Sequence, residues 1–157
     1  MSETQAGKEY VCGFMFDQAS FPHVHCRVLL IEKQRPLWQR LLLNGIGGEI
    51  EPGETPAQAM MREFAEETGI NFADWKYFCK LGDRRDWTIH FFYAVSDIDQ
   101  AKQMTDEKLI AFNVGTAFCT RRIIPNLRWL VPMAFRMAEE RCAAFEIVEV
   151  KPNDDHD

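Results

Sequence analysis

Residues 48–70 read GEIEPGETPAQAMMREFAEETGI, and the reading of this stretch decides the fold. Glu63, Glu66 and Glu67 fall at i, i+3 and i+4, offsets that on an α-helix put three carboxylates on one face within reach of each other. Like charges at that spacing cost a helix about 0.2–0.5 kcal/mol per pair. A divalent cation reverses the sign of that term, and an oxygen-only, carboxylate-rich ligand set suits a hard ion such as Mg²⁺ or Mn²⁺. EFAEE on its own would be read as a solvated acidic face. Its surroundings change the reading.

Upstream, Glu51-Pro52-Gly53 has Pro and Gly at the second and third positions of a type II turn. Thr55 then stands as an N-cap, with Pro56 at the first helical position and Gln58 three residues past the cap, a capping box that starts the helix. Gly69 ends it as a C-cap. At roughly 100° per residue, Ala57, Met60, Met61 and Phe64 gather on one side and the three glutamates on another, with the small Ala59 near them. The expectation is an apolar face turned inward and an acid face turned to a cleft. Just before the turn, Gly47-Gly48 offers backbone without Cβ atoms, able to approach a ligand closely.

Working outward, strands are expected over Glu9–Asp17, His23–Lys33, Trp75–Leu81, Trp87–Val95 and Leu109–Val114. The solid apolar run Val28–Ile31 marks a strand buried on both faces. Leu127, Leu130, Val131, Ala134, Met137 and Ala138 recur at helical spacing, so a closing helix within Pro125–Ala143 packs on the sheet; Pro132 either interrupts it or marks a later start. Strands either side of a helix, then a closing helix, give an α/β sandwich around a mixed sheet.

A chain of 157 residues fits a single domain, 1–157, with flexible tails over about 1–8 and 151–157. The formal charge of −6 excludes the basic stripe of a nucleic-acid polymer binder, yet admits a small anionic substrate whose charge a metal ion offsets. Five widely spaced cysteines without a CxxC pair argue against disulfide or zinc frameworks. With no signal-peptide layout at MSETQAGKE and no apolar run long enough to span a membrane, the expectation is a cytoplasmic protein without membrane partners; a homodimer is compatible with this.

The full spacing, Gly48, Glu54, Arg62-Glu63-Phe64, Glu66-Glu67 and Gly69-Ile70, resembles the signature box of the Nudix hydrolases, which cleave nucleoside diphosphates linked to another group. All seven fixed positions match, and only the aromatic Phe64 departs, at an aliphatic position that concerns packing. A chance match anywhere in the chain has a probability on the order of 10⁻⁷. The resemblance implies a Nudix-type α/β/α sandwich. It assigns Mg²⁺ or Mn²⁺ to Glu63, Glu66, Glu67 and the Gly48 carbonyl, and gives Arg62, paired with Glu54, the work of orienting the acidic shell. Glu66 is the first choice for water-activating base and Glu63 the second. Glu107, in MTDEKLIAF, fits a late-loop carboxylate that in relatives binds metal or acts as base, although its charged run reads equally as solvated surface.

Outside the box the signals thin out. Asn126 is an N-cap or, as in some MutT-like relatives, a reader of the base. Trp38 or Phe16 could stack on a base, though aromatic residues there more often belong to a core edge. His23 and His25 share a strand face but lack a third ligand. The family's substrate marks for ADP-ribose (a proline past the box), for diadenosine polyphosphates (a tyrosine) and for NADH (an SQPWPFPQS-type tract) are absent. By elimination, and by the short MutT-like build, the substrate expected is a nucleoside or deoxynucleoside triphosphate, with oxidised purine nucleotides as a special case. The alternatives are an ADP-ribose or nucleotide-sugar pyrophosphatase and a nucleotide-sensing Nudix module without catalysis.

Overall fold

The computed structural model describes residues 7–18, 25–83, 85–117, 122–140 and 143–149. The helix announced by the capping box is α1, Pro56–Thr68. Thr55 Oγ1 accepts from the Gln58 N–H and the Gln58 side chain accepts from the Thr55 N–H, while Gly69 closes the last turn at φ 73°. Such a capping box contributes roughly 1 kcal/mol.

Among the described residues seven strands form one mixed sheet in the order β3–β2–β1–β5–β4–β7, with β6 on the other edge of β2. They are β1 Lys8–Phe16, β2 Arg27–Glu32, β3 Leu43–Asn44, β4 Lys76–Gly82, β5 Trp87–Val95, β6 Lys108–Asn113 and β7 Phe145–Val148. β1 pairs β5 in parallel over its whole length, and β4 pairs β7 in parallel; the other pairings are antiparallel. Val28, Leu29, Leu30 and Ile31 are all buried, as a strand covered on both faces requires. A short helix α2, Val114–Ala117, and a long one, α3, Leu127–Glu140, complete the chain's described helices.

Two apolar clusters sandwich the sheet. Met60, Phe64 and Ala59 of α1 pack with Val11, Met15, Leu29, Ile31 and Phe92 on one face. Leu127, Leu130, Val131, Ala134 and Phe135 of α3 pack with Phe14, Phe16, Val28, Leu30 and Phe91 on the other. Each fully buried side chain of this size contributes roughly 1.5–3 kcal/mol, enough to hold both helices to the sheet.

Three expectations change. Ala57 and Met61 face solvent, and Ala59 belongs to the core. The buried arc of α1 runs from Ala59 through Met60 and Phe64 to Thr68, so the acidic stripe lies along the seam between helix and loop rather than opposite the core. Pro132 neither interrupts α3 nor delays it, since the helix runs continuously through it. The closing element is β7, not a helix. No described helix is long and apolar enough to cross a membrane.

Candidate active site

The sheet forks along β2. One edge of β2 is shared: β1 takes Val28 and Leu29, while β3 takes Ile31 and Glu32. Past β3 the chain leaves β2 and runs antiparallel along the freed half of β1, with Gly13 bridging Ile46 and Tyr10 bridging Glu49. The Val11 N–H donates to the Gly48 carbonyl at 2.9 Å, and the Ile50 N–H to the Glu9 carbonyl at 2.9 Å. Close approach explains the glycine pair. A Cβ at position 47 would stand 2.7 Å from the Val11 carbonyl carbon, and one at position 48 would stand 2.5 Å from the Glu63 carboxyl carbon. Gly48 therefore lies directly over the first glutamate of the helix.

Arg62 ties the loop to the helix. Its Nε donates to Glu54 Oε1 at 2.7 Å and its Nη2 to Glu54 Oε2 at 2.9 Å, a two-pronged pair. Nη2 also donates to the Glu49 carbonyl at 3.0 Å, and Nη1 to Glu63 Oε1 at 2.7 Å, with Glu66 Oε2 at 3.5 Å. The Glu51 N–H reaches Glu54 Oε2 at 2.9 Å. Hydrogen bonds from Arg62, then from the Glu51 N–H, hold the Glu54 carboxyl down at about 2. Burial pushes Glu63 up and the like charges of Glu66 and Glu67 add to it, while Arg62 pulls the other way. Arg62 is itself raised, first by Glu54.

Glu54, Glu63 and Glu66 thus meet at Arg62, and Glu67 stands one turn on from Glu63, close enough for its charge to be felt there. Among the described residues no three carboxylate, imidazole or thiol groups already converge on a common centre. The reason is visible in the contacts, since Arg62 draws Glu63 and Glu66 to itself and Thr105 Oγ1 donates to Glu67 Oε2 at 2.7 Å. Glu66 is the least committed, its side chain 58% exposed with a single long contact. The donors are all oxygen, the position facing Glu63 has no side chain, and Glu66 is free to turn. These residues fit a hard divalent cation.

The family model for the NUDIX domain matches residues 11–129. The chain belongs to the NUDIX domain family. Membership of that family supports a Nudix pyrophosphohydrolase. Solved structures agree with the architecture. A MutT structure, from work on Aliivibrio salmonicida and Vibrio cholerae, is 18% identical with a TM-score of 0.63, covering 82% of this chain and 96% of that one. The MutT protein of Bacillus halodurans is 18% identical with a TM-score of 0.61, over 88% and 86% of the two chains. The NUDIX domain of Shewanella oneidensis NrtR, complexed with ADP ribose, is 17% identical with a TM-score of 0.66, over 87% and 89%. No curated protein matches the chain.

The remaining candidates fall less neatly around the Nudix helix. Glu107 is buried, its side chain 6% exposed, with Oε2 taking Lys33 Nζ at 2.9 Å and Oε1 the Gln34 N–H at 2.8 Å. It joins the acidic group through Thr105 alone, whose Oγ1 accepts from the Glu107 N–H at 3.2 Å. Trp38 stands 65% exposed on a one-turn 3₁₀ helix, Leu37–Gln39, between β2 and β3. Phe16 is wholly buried against Phe135 and is core, not a stacking surface. Asn126 directly precedes α3, but its Oδ1 is buried without a hydrogen-bond partner among the described residues, so that oxygen does not cap the helix. His23 lies outside the described residues, and His25 is exposed. Sequence reasoning missed Thr105, which has no motif; only its hydrogen bond to Glu67 reveals it.

Proposed function

We propose that the chain hydrolyses nucleoside or deoxynucleoside triphosphates, oxidised purine nucleotides among them, to the monophosphate and pyrophosphate with Mg²⁺ or Mn²⁺. The observation that carries this reading is the packing of Gly48 on Glu63 beside the Glu54–Arg62 pair, which brings the box residues together. Glu63, Glu66, Glu67 and the free lone pair of the Gly48 carbonyl would hold the cation. Bound there, it supplies charge neutralisation and electrophilic activation to the phosphate chain. Glu66, exposed and lightly held, takes the proton from the attacking water, while the phosphorus–oxygen bond to the leaving pyrophosphate breaks. Glu63 is the second choice, because Arg62 already engages its Oε1. Glu107, with both oxygens paired, serves the site from a distance.

On the nucleoside side, the orphaned Oδ1 of Asn126 supports a part in reading the base, and the exposed Trp38 is available to stack on it. A cytoplasmic location goes with this reading. The partner is a small nucleotide rather than a nucleic acid polymer or a membrane, and a homodimer is compatible with it. The ADP ribose in the NrtR complex favours an ADP-ribose pyrophosphatase as second reading.

Assaying products from NTPs, dNTPs, oxidised dGTP, ADP-ribose and nucleotide sugars in Mg²⁺ separates these readings. Pyrophosphate from a triphosphate is expected. Turnover confined to ADP-ribose selects the second reading, and binding without turnover makes the chain a sensor. Two variants probe the site locally. Gly48→Ala forces a methyl against the Glu63 carboxyl and should lower kcat by about 100-fold through misplacement of the ligands; a parental rate would refute the packing argument. Asn126→Ala should alter relative kcat/KM among the four bases, and an unaltered profile removes Asn126 from recognition.

A further inference from the structure

Glu67 is held from outside its own helix. The segment after the Ile98–Gln100 turn closes over the end of α1, where the Lys102 N–H donates to the Thr68 carbonyl at 2.9 Å and the Met104 N–H to the Glu67 carbonyl at 3.2 Å. Thr105 then meets the Glu67 side chain, its Oγ1 donating to Oε2 at 2.7 Å. A hydroxyl has one hydrogen and two acceptor positions. Here the Glu107 N–H occupies an acceptor position at 3.2 Å, which directs the hydrogen to Glu67. The Glu107 carboxylate is in turn clamped by Lys33 Nζ and the Gln34 N–H at 2.9 and 2.8 Å. Two sets of hydrogen bonds, joined through the covalent frame of Glu107, therefore link the start of the β2–β3 loop to one oxygen of a carboxylate in the Nudix box.

We propose that Thr105 is a positioning residue for hydrolysis, orienting Glu67 by one oxygen so that the other is presented to the divalent cation. The inference rests on the metal-dependent hydrolase reading above. Groups that hydrogen-bond a metal-ligating carboxylate fix its orientation, and their loss typically weakens metal binding about 10–100-fold.

The test uses the full chain and Mn²⁺ itself as probe. Thr105→Val keeps the shape and removes the hydroxyl, and Thr105→Ser keeps the hydroxyl. Calorimetric titration should show the valine variant binding Mn²⁺ about 10–100-fold more weakly, with serine restoring most of the affinity. At subsaturating metal kcat should fall while KM for the nucleotide holds. Melting in EDTA checks the fold, and Thr105→Ala is read the same way if the valine variant does not fold. Parental Mn²⁺ affinity without the hydroxyl, or equal losses for valine and serine, overturns the inference. Failure of the unsubstituted chain to bind Mn²⁺ overturns the cation site itself and is a different result.

Discussion

Replacing Glu66 or Glu67 by Gln is expected to lower kcat by about 10²–10⁴-fold while leaving the fold in place. The physical argument has two signs. In the absence of metal each carboxylate is a like charge one turn from Glu63, at i+3 for Glu66 and i+4 for Glu67, so neutralising one relieves about 0.2–0.5 kcal/mol. Melting in EDTA should therefore be unchanged or slightly higher. A cation that binds only the folded chain must raise its melting temperature, and that rise should shrink sharply in either variant. Glu66 is exposed enough that its replacement disturbs no packing, which separates loss of chemistry from loss of structure. A variant with parental turnover, or one that keeps the full Mg²⁺-induced rise, removes that glutamate from the ligand set.

Arg62→Ala should damage stability and rate together. It leaves Glu54 without its two-pronged partner, Glu63 half-buried beside two like charges, and the Glu49 carbonyl without a donor. The loss should be about 1–3 kcal/mol, with a melting temperature lowered by about 2–4 °C per kcal/mol for a chain of this size. Acid distinguishes the ion pair from mere packing. The folded Glu54 carboxyl lies at about 2 against a usual 4.5, so its stabilisation is complete above the higher value and disappears as pH falls through the lower. The gap between parent and variant should narrow from pH 7 to about pH 3. A gap of constant width would mean that the guanidinium acts chiefly by filling space.

The parts of the molecule legible in the sequence are those encoded locally. α1 begins and ends at the expected residues because Thr55, Pro56, Gln58 and Gly69 each act within one turn. β5 is Trp87–Val95 as expected, since nine residues dense in aromatic and β-branched side chains leave little alternative. β3, with two residues, and β7, with four, owe their form to partners far along the chain, Ile31–Glu32 and Cys79–Gly82, and no local pattern announces such pairing. The rotation of α1 escaped for a related reason. Periodicity counts Met61 and Ala57 as apolar but does not register that the helix must lean its acidic stripe into the loop bearing Gly48. For the site, the box spacing identified Glu54, Arg62 and Glu63 as a group that the fold brings into contact. The environments of Glu107 and Asn126 depend on which neighbours fold against them.

The hydrogen bond from Val11 to the Gly48 carbonyl has a consequence for ion choice. One prospective ligand belongs to main chain hydrogen-bonded to the central strand β1, whereas the others hang from side-chain torsions. Mg²⁺ insists on short, nearly octahedral contacts, and Mn²⁺ has a larger ionic radius. If these residues hold the cation as proposed, exchange of one ion for the other would be absorbed by the glutamate side chains, with the Gly48 carbonyl tethered by Val11.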